Sequence, residues 1–497
     1  MVSCAYCNRA IGFPVASIDT TTVRQQIDQM KEDFRRQSSD STMTTENRML
    51  MQSMLTLLEI IVAIFLEKKT RKSSKNSSLP ASKNEEDESS ISHKGRKGKG
   101  KPEHSDVSDH TRTVETTMIA AADFCPVCGA DLSKAPCHSH ERRTRIDIVF
   151  EKTIEHVDAE VKDCPDCQSE VKGQFPPDLH GPVQYGSGLK AYIVNLIICQ
   201  MVAMNRVQKM VKTLIGEVIS EASLVKFVVR VHESLKVWEE QAIKTLLAAK
   251  AVHVDETSMR VNKSNHWVHV YSSQDTTLKF LHRKRGKTAI EDIQIIPRYG
   301  GVIVHDCWSS YLSYEHCGHG LCGAHLVREL TFIIESNDYS WSKNMKKLLI
   351  ETCKRVSKRK RKALTKTEYI NLQKRYRNIL TRGEKELPEI PDKPKGKKGK
   401  VAKSDAHNLW ERLKKYEGAV LLFAQDKNVP FTNNRAERDL RMAKVKQKVS
   451  GCFRSLELAQ AYCRISSYIQ TMRNKGINPL IAIQMAYAGE ISLDRGE

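Results

Sequence analysis

Between Lys250 and Tyr311 the chain sets short apolar runs among turn residues in an order that few folds can accept. KAVHVDET ends an apolar run at Asp255, with Glu256 beside it. HWVHVYS (266–272) and TLKFLHR (277–283) follow at hairpin spacing. KTAIEDIQII then turns to helical periodicity, and GGVIVHDCWSSY supplies another apolar strand, which ends at Asp306. Three antiparallel strands, a helix and a strand returning beside the first predict an α/β unit.

That order is the opening half of a ribonuclease-H-like fold, in which the ends of strands one and four are neighbours. Asp255 and Asp306 would then face each other. Two carboxylates held together repel unless they share a proton or a cation. Mg²⁺ or Mn²⁺, with oxygen ligands, resolves the conflict, and two such ions hold the attacking and leaving oxygens of an in-line phosphoryl displacement. A third acid is expected on a later helix. FTNNRAERDLRMAKVKQK supplies Glu437, one turn into a helix that Asn433 or Asn434 would cap. Arg435, Arg438, Arg441, Lys444, Lys446 and Lys448 around it suit a nucleic-acid backbone. Any one of these acids alone reads as a surface or salt-bridged carboxylate. The argument lies in the order strand-Asp, strand-Asp, helix-Glu. Glu256 stays a rival to Asp255, although strand alternation puts it on the opposite face.

Charge points to the same class of partner. Against 59 Asp and Glu stand 80 Lys and Arg, a formal net charge of +21, and an excess of that size favours a polyanion. The start, MVSCAYCNRA, has no basic stretch leading into an apolar run, so a reducing compartment is expected for its 14 cysteines. FCPVCG (124–129) and DCPDCQ (163–168) are two Cys-x-x-Cys turns. Cys125, Cys128, Cys164 and Cys167 would give Zn²⁺ a closed tetrahedral sulfur site. The alternation in RIDIVFEKTIEHVDAEVKD predicts a hairpin that brings the turns together. Redox dithiols are the alternative, and Cys137, His138 and His140 compete as ligands. Cys4 and Cys7 have no matching second pair.

Met49 to Leu66 is apolar, but polar residues and Glu59 interrupt it, which argues against a membrane span. Met43, Leu50, Leu57 and Ile64, with Asn47, Met54 and Ile61, mark heptads for a short coiled coil or an amphipathic helix packed on its own chain. The expected organisation is a helical region at 1–67, a Ser/Lys-rich disordered linker at 68–120 and a zinc-binding domain at 121–180. Helices follow at 181–250, with a break at Gly216 and Ser220 that reads as a DNA-binding helix-turn-helix or as a plain helical hairpin. The catalytic unit fills 251–497, with a helical insertion at about 341–416 and a Lys-rich linker at 387–405.

With these motifs in place, the chain resembles the bacterial DDE transposases of the insertion-sequence-66 family. The resemblance rests on VHVDET with HWVHVY, on HRKRGKTAIEDI, on VHDCWSSY with LCGAHLVREL (321–330), and on TNNRAERDLRMAKVKQKVSGCFRS (432–455). CPVCG and CPDCQ resemble the family's zinc-binding segment, and PVQYGSGLKAYIV the start of its central region. Coverage runs from about Asp123 to the C-terminus. The resemblance implies a metal-dependent polynucleotidyl transferase that binds element ends, cuts there and joins the 3′-hydroxyls to target DNA. Asp255, Asp306 and Glu437 match its catalytic triad, and the long interval between the last two matches its helical insertion. Implied with it are two Mg²⁺ or Mn²⁺ ions, a structural Zn²⁺, double-stranded DNA as partner, a homo-oligomer on DNA and accessory proteins of the element. A cytoplasmic location at the bacterial nucleoid, with no membrane, is also implied. Cys322 and His325 in LCGAHLVREL read as a packed helix start or as ligands of a second metal. The N-terminal region departs from the pattern, so no function is carried onto residues before 120. Two rivals remain: a catalytically retired DNA-binding relative, against which the intact acids argue, and a nuclease that cuts without joining.

Overall fold

The computed structural model describes residues 44, 49–54, 116–148, 150–177, 179–390 and 403–491. Residues 49–54 are helical. The rest of the heptad segment, Cys4 and Cys7, the first linker up to residue 115 and residues 391–402 of the second lie outside the described residues. The chain divides into two units, one formed by Ser92–Cys322 with Ala419–Glu497 and the other containing the inserted segment Gly323–Gly418.

The hairpin predicted between the two cysteine turns does not form. The described residues of 136–160 carry no strand, and Ile146, Ile148, Phe150 and Ile154 are exposed. Alternation makes a strand only where a partner accepts its backbone groups, and no strand among the described residues pairs with this segment. The hairpin that does form is short: β1 (Val161–Asp163) pairs antiparallel with β2 (Glu170–Lys172), bracketing the second cysteine turn.

Four helices follow, α1 (Ser187–Ile198), α2 (Met204–Ile215), α3 (Glu221–Ser234) and α4 (Lys236–Leu247). The run expected to stay unbroken as far as Gly216 is split earlier, where buried Met201 takes a φ of +57. Gly216 closes α2 in the left-handed conformation, and the Ser220 hydroxyl caps α3 by accepting the Ser223 N–H.

The sheet has the order β5-β4-β3-β6-β7. Strand β3 (Ala251–Val261) turns at Asn262 and Lys263, both at positive φ, into antiparallel β4 (Ser264–Ser272), and β5 (Thr277–His282) pairs antiparallel with β4. After α5 (Lys287–Ile293), β6 (Val302–His305) runs parallel to β3. Then α6 (Ser309–Leu312) leads to β7 (Gly318–Leu321), which is parallel to β6. The helix between the third strand and the returning one is thus present, and the returning strand pairs with the first.

The inserted unit is helical: α7 (Gly323–Asn337), α8 (Ser340–Lys358), α9 (Lys366–Glu384) and α10 (Asp405–Lys415). It begins at Gly323 rather than near 341, because α7 buries Leu326, Leu330 and Ile333 and packs on α8. Trp341, Met345, Leu349, Tyr376 and Trp410 fill its core. A Cβ on Gly383 would stand 2.7 Å from the Trp341 ring, so only glycine fits there. The remaining helices are α11 (Glu417–Gln425), α12 (Asn434–Asp439), α13 (Arg441–Ser450), α14 (Leu456–Asn474) and α15 (Pro479–Ala488). Helices α1, α3, α4, α14 and α15 share one apolar core with the sheet. Helix α14 also closes the open edge of β5. The Thr471 and Ser467 hydroxyls accept the Thr277 and Lys279 N–H groups at 3.1 and 2.8 Å. No helix among the described residues is long and apolar enough to cross a membrane.

Candidate active site

Strands β3 and β6 pair only as far as His253 and Val304, and then part. Carrying that parallel register forward two residues brings Asp306 level with Asp255. Asp255 is half-buried, and its Oδ1 accepts the Glu256 N–H at 2.9 Å. Burial first, then the charges of Glu256 and Asp306, push its carboxyl up to about 8 against the pull of that N–H and of Lys444. An acid so placed holds a proton at neutral pH or gives it up to a cation. Asp306 lies in the turn after β6, and its Oδ1 accepts the Trp308 N–H at 3.2 Å.

Glu437 sits in the first turn of α12, on the face of β3 to which Asp255 points. Helices α12 and α13 both pack on β3. A Glu437 carboxylate oxygen lies within 4.8 Å of Cys322 Sγ, and the Cys322 N–H donates to the carbonyl of His305, the residue before Asp306. Asp255 stands mid-strand and not at a strand end as expected, because β3 continues to Val261 paired with β4; Asp306, in the turn after β6, and Glu437, on α12, lie beside the point where β3 leaves β6. Oxygen donors crowded enough to raise one acid suit hard divalent ions.

Glu256 points the other way and is already engaged. Arg285 reaches its Oε1 at 2.7 and 2.8 Å, and the Tyr311 hydroxyl donates to Oε2 at 2.6 Å. Burial raises its carboxyl, and those two partners oppose the rise. Arg285 lies over the rings of Trp267 and Trp308, at 5.0 and 4.5 Å from their centroids.

Asn433 is where sequence reasoning saw only a helix cap. It does stand at the N-cap of α12, but its side chain makes no capping bond. It crosses to β3 instead. Nδ2 donates to the Val254 carbonyl at 2.8 Å and Oδ1 meets His253 Nδ1 at 2.9 Å, while its backbone N–H donates to Cys322 Sγ at 3.2 Å. Nothing local in TNNRAER signals this, since every partner is more than a hundred residues away.

A model of the family described as Transposase IS66 family matches residues 182–461, more than half of the chain. The chain belongs to the Transposase IS66 family. No curated protein matches it. A transposase is a DNA-processing protein. Arg438, Arg441, Lys444 and Lys448 are exposed on α12 and α13. Arg435 and Lys446 are half-buried and occupied within the fold: Arg435 donates to the Gln274 carbonyl, and Lys446 lies 5.0 Å from the Phe453 ring centroid. In the inserted unit several cations of the basic helices α8 and α9 are paired, among them Arg359 with Glu368 and Arg377 with Glu417.

The transposase's two cysteine turns are built alike. Gly129 and Gln168, each following the second cysteine, take positive φ and donate N–H to the first cysteine's carbonyl at 2.9 and 2.8 Å. Backbone N–H groups of Cys128 and Val127 lower the Cys125 thiol, and the Ser169 hydroxyl and N–H lower that of Cys167. Within each pair the thiols interact. The structure does not bring the pairs together. Among the described residues no group of three or more ligand atoms within 4.8 Å of one another includes a cysteine of these turns. Cys137 lies instead against the His140 ring, at 3.8 and 3.9 Å from its nitrogens. Cys322 is buried at the end of β7, and His325 follows in the first turn of α7, within the inserted unit.

Proposed function

We propose that the chain is a DDE-type transposase with a ribonuclease-H-like core, which binds the ends of its element, cuts there and joins the freed 3′-hydroxyls to target DNA. The observation that supports this most is the levelling of Asp255 with Asp306 where β3 and β6 part, with α12, which carries Glu437, packed on β3. Asp255, Asp306 and Glu437 would hold two Mg²⁺ or Mn²⁺ ions. Bound there, such ions supply Lewis acidity at the attacking and leaving oxygens of the phosphodiester. Asp255, whose carboxyl is raised, would have to release its proton to hold such an ion, so metal binding should tighten as pH rises. Arg285 and Tyr311 hold Glu256 away from the reacting phosphate. Exposed Arg438, Arg441, Lys444 and Lys448, with Arg435 and Lys446 beside them, carry the DNA backbone past the acids without reading bases. The two cysteine turns, Cys125 with Cys128 and Cys164 with Cys167, would together hold one structural Zn²⁺. With α2 and α3 they recognise the element ends. The active form is a homo-oligomer on DNA.

Replacing Asp306 with Asn tests the reading. Cleavage and the joining of pre-cut ends should both be lost while end binding persists. Near-wild-type cleavage in Asp306→Asn would sink the assignment, and cleavage by the wild type without joining would make the protein a nuclease.

A further inference from the structure

The pairing of β6 with β7 brings together two histidines that the reaction scheme leaves unused. His305, immediately before Asp306, is wholly buried, and its Nε2 lies 3.1 Å from Nδ1 of His319. His319 Nε2 lies 3.2 Å from the Tyr314 carbonyl oxygen. That carbonyl can only accept, so His319 Nε2 carries the hydrogen. His319 Nδ1 is then an acceptor, and His305 Nε2 must be the donor. This leaves His305 Nδ1 as an acceptor, and it takes the Cys307 backbone N–H at 3.1 Å. One arrangement of protons satisfies every bond with both rings neutral. Burial favours the neutral forms, lowering His319 and bringing His305 down to about 3.

The chain of bonds ends on a strained turn. Cys307 sits at a φ of +74, a conformation that is strained for a non-glycine residue and needs its surroundings to enforce it. The His305 ring supplies part of that enforcement by holding the Cys307 N–H. The same turn brings the Trp308 N–H back to Asp306 Oδ1. On its other sides, His305 packs at 5.3 Å against the Tyr311 ring and accepts the Cys322 N–H at its carbonyl. The orientation of the Asp306 carboxylate thus depends on a ring whose tautomer is set by His319.

We infer that His305 and His319 form a positioning relay for Asp306, fixing the turn that presents its carboxylate beside Asp255 to a divalent cation. The inference rests on the reading of Asp306 as a metal ligand. It assigns His319 a role in metal binding although its ring contacts only His305 and the Tyr314 carbonyl among the bonds above.

Two substitutions in the full chain separate the relay bond from mere packing. In His319→Asn, Oδ1 stands where Nδ1 stood and still accepts from His305. In His319→Gln, the amide reaches one bond further, so it can still donate to Tyr314 but offers His305 no acceptor. Mn²⁺ affinity of the DNA-free protein, read from free Mn²⁺ by electron paramagnetic resonance, is measured beside metal-dependent end cleavage and thermal melting. His319→Asn should stay within about threefold of wild type, whereas His319→Gln should lose roughly 10–100-fold in Mn²⁺ affinity. The two should melt alike. Wild-type Mn²⁺ affinity in His319→Gln overturns the relay, and so does an equal loss in both variants, which would mean that ring packing alone matters. Asp306→Asn is the control. If it keeps wild-type Mn²⁺ affinity, the reading of the site itself fails. If it loses affinity while His319→Gln does not, only the relay fails.

Discussion

Asn433→Ala is the substitution whose cost the geometry specifies best. Asn433 is 1% exposed and ties three segments together: β3 through Val254 and His253, β7's end through Cys322, and α12 through its own backbone. The Val254 carbonyl can only accept, so Nδ2 must face it, which leaves Oδ1 to accept from His253 Nδ1–H. Alanine removes both side-chain bonds and leaves a buried carbonyl and a buried imidazole N–H unsatisfied, each costing about 1–3 kcal/mol. A loss of about 3 kcal/mol is expected, towards the low end of the combined range, since the vacated space admits some relaxation. The strand–helix distance that sets Glu437 against Asp255 loosens with it, and an error of about 1 Å in such an arrangement costs about a hundredfold in rate. Urea unfolding followed by tryptophan fluorescence reads the first effect, because Trp238, Trp267 and Trp308 lie in the sheet unit. Cleavage of end DNA reads the second. The exposed Arg438 and Arg441 are untouched, so DNA binding should persist. A stability change below about 0.5 kcal/mol, with cleavage near wild type, would refute the view that this side chain clamps the site.

Purified protein should contain about one zinc per chain, and Cys164→Ser should lose it together with preference for element ends; full zinc content in that variant would remove the site. Replacing the exposed Arg438, Arg441 and Lys448 with Ala should flatten the dependence of log affinity on log salt by roughly one unit per lost phosphate contact, equally for end and random DNA. An unchanged slope with lost end preference would show that these residues read bases. Burial, foremost, holds His232, His253 and His269 at about 4 and His305 at about 3, all below the usual histidine value near 6.5. Below about pH 6.5 the unfolded chain therefore takes up protons that the folded one refuses. Stability contributed by these four groups is complete above that pH and is lost as pH falls towards 4, by up to about 1.4 kcal/mol per pH unit for each. Denaturation midpoints that stay flat between pH 6.5 and 4.5 would contradict their neutral burial.

The strands, their order and the two aspartates were legible in the chain because each rests on local chemistry, although the continuation of β3 past Asp255 to Val261 was not. Short apolar runs at hairpin spacing, the shift to helical period in KTAIEDI, and an aspartate closing each of two apolar runs need no knowledge of distant partners. Alternation also separated Asp255 from Glu256, since successive side chains of a strand point to opposite faces whatever surrounds them. The same signal misled in residues 145–160, where the pattern was present but no strand forms among the described residues. The start of the inserted unit at Gly323 was hidden too, because α7 joins it through side-chain packing on α8 and not through any change in composition. The clamp at Asn433 and the bonds from His319 through His305 to the Asp306 turn were out of reach for a different reason. Each links groups brought together only by the parallel return of β6 and β7 and by the docking of α12 on β3. The donor or acceptor role of a side chain is set by the partner it meets, and those partners are chosen by the tertiary fold.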